Sequence, residues 1–75
     1  MSNAADNYLL DLAPLILERA REAKLSIQKV NDSFEQGRLS ACYAVLSLMK
    51  QQAIAFGLDD EALGLKRVNL EELLN

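Results

Sequence analysis

Histidine and tryptophan are absent from these 75 residues, and cysteine occurs once, at Cys42. An intrachain disulfide is therefore excluded. A structural zinc site would have to rest on one thiolate and carboxylates, which is a poor donor set. A catalytic thiol would lack the base, usually histidine, that activates it. Gly37, Gly57 and Gly64 stand apart from one another, so no glycine-rich phosphate loop is present. No apolar run reaches the length of a membrane span, and no basic start precedes a long apolar run as in a secretory signal. These absences predict a chain that is not an enzyme, binds no cofactor and no metal, and works in the cytoplasm, where a lone thiol stays reduced. They indicate no small-molecule substrate and no membrane.

Hydrophobic residues make up 51% of the chain and charged residues 25%, whereas aromatics are only 5%. Any core is thus aliphatic and rich in alanine, a composition suited to close contact between helices. Chains this short gain barely enough from apolar burial to offset the entropy lost on folding. With disulfide and metal both excluded, association with another chain is the remaining staple. Net charge is −3. Arg19, Arg21, Lys24 and Lys29 make the middle mildly basic between acidic flanks, which reads as a solvated helix face.

Leu9, Ala13, Ile16, Ala20, Ala23, Ile27, Val30, Phe34, Gly37, Ala41, Ala44 and Leu48 alternate in steps of four and three. That spacing is the heptad seam of a helix packed lengthwise against another. The residues of this row are the expected interface. Asp6 or Asn7 is the expected first N-cap, and Pro14 is expected to kink the first helix. Around Asn31-Asp32-Ser33, Asp32 precedes Glu35 by three and Ser33 precedes Gln36 by three, the signature of a capping box that opens a new helix. Gly57 followed by Leu58 suits a left-handed helix end. Asp59 is placed to cap a short turn ending at Gly64, and Asn69 to cap a last one.

Residues 1–5 accordingly read as a disordered or tag-derived tail, because Ser2-Asn3-Ala4 looks like a scar of tag removal. Residues 6–58 read as a helical hairpin with helices over about 7–30 and 33–56, and residues 59–75 as a short helical extension. The fold class is all-α, an antiparallel hairpin dimerising into a four-helix bundle. The alternative is a single long kinked helix of about 75 Å, paired with a second copy in a domain-swapped manner. A reversal at Asp32 sets Ala23 near Ala41, Ala20 near Ala44 and Ile16 near Leu48. Leu10, Leu12, Leu15, Leu17, Leu39, Val45, Leu46, Met49 and Ile54 are left off the seam, which is the argument for a homodimer.

Other constellations are weaker. Glu18 and Glu22 share a helix face, and Asp59-Asp60-Glu61 form an acidic run, but neither has the companions of a metal site. Ala53, Gly57 and Leu63 fit the spacing of a helix-turn-helix, yet the second helix would meet phosphates with acids, so nucleic acid is disfavoured. Leu70, Leu73 and Leu74 have the spacing of a helix that docks in an apolar groove, on this chain or on a partner. The expectation is a non-catalytic protein–protein interaction or oligomerisation module of bacterial type. Its partner is a second copy or another protein. The alternatives are an antitoxin-like or inhibitor partner and, last, a DNA-binding regulator.

Overall fold

A computed structural model describes residues 3–29 and 32–74. Helix α1 spans Ala4–Lys29 and α2 spans Ser33–Ala55, followed by two 3₁₀ turns at Asp60–Leu63 and Leu70–Leu74. The two helices pack against each other as a hairpin, and no strand occurs among the described residues. The molecule measures 45 × 20 × 19 Å, so the single long rod is not the architecture. Val30 of the expected seam and Asn31 of the expected connection lie outside the described residues.

Helix α1 starts earlier than its sequence suggests. The Asn3 side chain accepts from the Asp6 N–H at 2.8 Å, and the Asp6 carboxylate accepts from the Asn3 N–H at 3.4 Å. This reciprocal pair satisfies backbone donors at the helix start that have no partner within the helix. Ala4 and Ala5, assigned above to a tail, are therefore helical. Pro14 sits inside α1. It has no N–H to offer the Leu10 carbonyl one turn before it.

Helix α2 has a defined beginning and end. The Asp32 side chain accepts from the Phe34 N–H at 2.9 Å, while Glu35 pairs with Arg38 at 2.7 Å. At the other end Gly57 takes φ +73°, the Leu58 N–H donates to the Ala53 carbonyl at 2.8 Å, and the Gly57 N–H donates to Ile54 at 3.0 Å. Those two bonds and the left-handed glycine together make a Schellman closure. The chain then turns through Asp59, which caps the first 3₁₀ turn by accepting from the Ala62 N–H at 3.1 Å. Gly64 ends that turn with φ +69°. A tight turn follows, in which the Val68 N–H donates to the Leu65 carbonyl at 3.1 Å and Arg67 adopts φ +64°. Asn69 caps the second 3₁₀ turn by accepting from the Glu71 N–H at 3.0 Å.

The core consists of Ala13, Leu17, Ala20, Leu46, Ala53, Leu63, Leu65, Leu70 and Leu73. Ala23 is also buried. Leu46 and Leu65 are the largest side chains wholly removed from solvent. Burying each is worth about 1.5–3 kcal/mol relative to leaving it exposed. The C-terminal segment therefore helps to complete the hairpin. It supplies Leu63, Leu65, Leu70 and Leu73, and lies against both helices. Gly64 makes that approach feasible: a Cβ there would stand 2.7 Å from the Leu10 carbonyl oxygen and 2.9 Å from Pro14 Cγ. The Lys24 ammonium donates to the Glu72 carbonyl, and Lys50 pairs with Asp60 at 3.4 Å.

The seam divides between the helices. On α1, Ala13, Ala20 and Ala23 are buried, and Leu9 and Ile16 pack on the core. On α2, Phe34, Gly37, Ala41, Ala44 and Leu48 are exposed. The row facing α1 is instead Leu39, Cys42, Leu46, Met49 and Ala53, itself in steps of three and four. The pairings expected from a reversal at Asp32 (Ala20 with Ala44, Ile16 with Leu48) are thus not the ones that bury α2. The physical reason is side-chain size. Leu39, Leu46 and Met49 remove more apolar surface from water than Gly37, Ala41 and Ala44 can, so α2 turns that row inward.

Candidate interaction surface

Helix α2 is apolar on two opposite sides. Its inner row is used by the core. Its outer row runs Phe34, Gly37, Ala41, Ala44, Leu48 and Ala55, flanked by Val45, and every one of these is exposed. Phe34 keeps 73% of its surface in solvent and Leu48 keeps 56%. The charged residues of α2 are Glu35, Arg38 and Lys50, each at least partly buried and each within about a quarter-turn of the inner row. No charge occurs anywhere from Leu39 to Met49. The outward face of α2 is therefore uncharged from end to end, bounded by Ser33, Ser40, Gln51 and Gln52.

Helix α1 carries charge along its outer side, with Tyr8, Leu15 and Leu25 exposed among it. Asp11, Glu18, Arg19, Glu22 and Lys29 point away from α2, and all are exposed. An amphipathic helix with a charged outer stripe is what a solvated surface requires, whereas a helix apolar all round is characteristically covered on both sides. The contrast between the two helices marks the α2 face as a contact surface.

At the open end of the hairpin the face meets a cleft of about 470 Å³, lined by Leu9, Met49, Gln52, Ala53, Phe56, Leu58 and Leu63. Gln52 is its one polar side chain. Phe34, Val45, Gln52 and Phe56 lie on one flank of α2, because their separations are close to whole numbers of turns. Phe56, at 78% exposure, forms the rim shared by face and cleft.

The remaining expected sites are occupied by structural work. Leu70 and Leu73 are buried in the core, so docking on this chain's own hairpin withdraws them from a partner, while Leu74 stays exposed. Asp59 is a cap and Asp60 an ion-pair partner. Glu18 and Glu22 are exposed on α1, and no group of three or more potential metal ligands occurs among the described residues. Cys42 is a free, half-buried thiol beside the core. Where a helix-turn-helix would place its second helix, the chain has the four-residue 3₁₀ turn Asp60–Leu63. No helix among the described residues is long and apolar enough to cross a membrane. No family model matches the chain, and no curated protein and no solved structure matches it.

The sequence carried two signals for this surface. One is the uncharged stretch from Leu39 to Met49; the other is the presence of two interleaved heptad rows in α2. Only one row can face α1.

Proposed function

We propose that this chain is a non-catalytic protein–protein interaction module whose working surface is the outer face of α2. The observation that carries this reading is the pairing of a charged outer face on α1 with an uncharged, apolar one on α2. Exposed apolar surface of this extent is costly in water and is ordinarily retained for contact. A chain with no histidine has few means of moving protons near neutral pH, which supports a non-catalytic reading. The free Cys42 thiol suits a reducing compartment, and the cytoplasm is the setting proposed.

The test is photo-crosslinking in the producing cell, with a photoreactive residue at Leu48 or, as the control on α1, at Tyr8. Protein adducts at Leu48 well above those at Tyr8 are expected, whatever their mass. Equal yields at both positions would refute the reading.

A further inference from the structure

Resting on that reading, we infer that the occupant of the α2 face is a second copy of this chain, packed antiparallel across a two-fold axis with Phe34 of each copy seated in the apolar cleft of the other. Two observations carry this. The first is charge. An uncharged face is best covered by another uncharged face, since any charge brought against it would lose its water without gaining a partner. This chain presents such a surface itself.

The second is size along the outer row. In an antiparallel helix pair the layers join the positions of Phe34, Ala41 and Leu48 to those of Gly37, Ala44 and Gln51. Two registers satisfy that rule over the length of α2. In one, Leu48 lies opposite Gly37 and Ala41 opposite Ala44; in the other, Leu48 lies opposite Ala44. A large side chain meets a small residue in both. A two-fold axis also keeps the same flank of both helices on the same side of the pair. It therefore carries Phe34 of one copy to the stretch from Gln51 to Leu58 of the other, beside the cleft that Gln52, Phe56 and Leu58 line. Phe34 makes little use of its own fold, being 73% exposed, and no side chain among the described residues fills the cleft.

Area explains why the cleft takes part. Helix α2 is about 34 Å long and about 10–12 Å across with its side chains, so its face alone offers about 350–400 Å². Stable complexes bury roughly 800 Å² per partner, and the seating of Phe34 in the partner copy's cleft supplies part of the difference. The contact would be isologous, as in most closed homodimers.

The test uses the purified full chain. Sedimentation equilibrium at micromolar concentration is expected to give twice the 8.3 kDa chain mass. Phe34→Ala should weaken the dimer at least about 30-fold, the loss typical of an interface anchor. It should leave the circular dichroism of the chain unchanged, because Phe34 is outside the core. Arg19→Glu, on the charged face of α1, should leave the mass unchanged. With a photoreactive phenylalanine at position 34, tryptic digestion should join the peptide of residues 30–38 to that of residues 51–66. A folded monomer at 100 µM (an experimental ceiling of about that order, above typical specific affinities) would overturn the inference. So would a cross-link of peptide 30–38 to its own counterpart, which a parallel pair gives. If the purified chain is monomeric while Leu48 still captures a protein of another mass in the cell, the second copy is refuted and the interaction reading survives.

Discussion

Replacing Gly64 with alanine measures how closely the C-terminal segment sits on α1. Two costs are separable. Gly64 has φ +69°, and an L residue held in that left-handed region loses about 1–2 kcal/mol. Its new methyl would also stand 2.7 Å from the Leu10 carbonyl oxygen and 2.9 Å from Pro14 Cγ, closer than such atoms can approach. Neither neighbour is the free end of a flexible side chain, so the segment must shift, at an overpacking cost of about 1–3 kcal/mol. Gly57 supplies the internal control, because it has nearly the same backbone angle, φ +73°, and nothing within 4 Å of its would-be Cβ. Gly57→Ala pays only the first cost. Urea denaturation followed by far-UV circular dichroism, at equal protein concentrations, should therefore place Gly64→Ala below Gly57→Ala by about 1–3 kcal/mol. In a domain of this size that difference lowers Tm by a further 4 °C or more, at roughly 4–8 °C per kcal/mol. Equal losses at the two glycines would show that residue 64 does not lie against Leu10 and Pro14.

Three further outcomes are expected. Leu65→Ala should cost about 2–5 kcal/mol in the same denaturation assay, since Leu65 is fully enclosed and its removal leaves a cavity. Asp32→Ala should cost about 1 kcal/mol through loss of the cap on the Phe34 N–H, and Asp32→Asn, which keeps an acceptor, should recover most of it. Arg67→Gly should raise stability by up to about 1 kcal/mol by relieving the left-handed backbone at φ +64°, and an unchanged or lower urea midpoint would count against that conformation.

The parts of the fold readable in the sequence are those governed by chemistry between near neighbours. Asp32, Gly57 with Leu58, Asp59, Gly64 and Asn69 each act on backbone groups within a few residues, and each stands at a boundary its type and spacing predict. Asn3 and Asp6 have the same kind of spacing, and their role was hidden only because Ser2-Asn3-Ala4 looks foreign to the fold. Which side of α2 turns inward was not readable in this way. The row through Ala41, Ala44 and Leu48 continues the phase of α1, but a chain reversal breaks the geometric link between the phases of its two helices. After a turn, only the competition in buried area decides, and Leu46 outweighs Ala44. The destination of Leu63, Leu65, Leu70 and Leu73 was equally hidden. Residues in short 3₁₀ turns have no long period to reveal a buried side, and their burial depends on a groove made by residues far away in sequence. The candidate surface follows from the same competition, as the row of α2 that lost it.

The position of the closing leucines in the chain has a consequence for folding. Leu17 and Leu46 gain their last neighbours only when the segment carrying Leu63, Leu65, Leu70 and Leu73 docks. A hairpin formed ahead of that docking leaves a greasy groove open, the kind of surface through which partly folded chains aggregate.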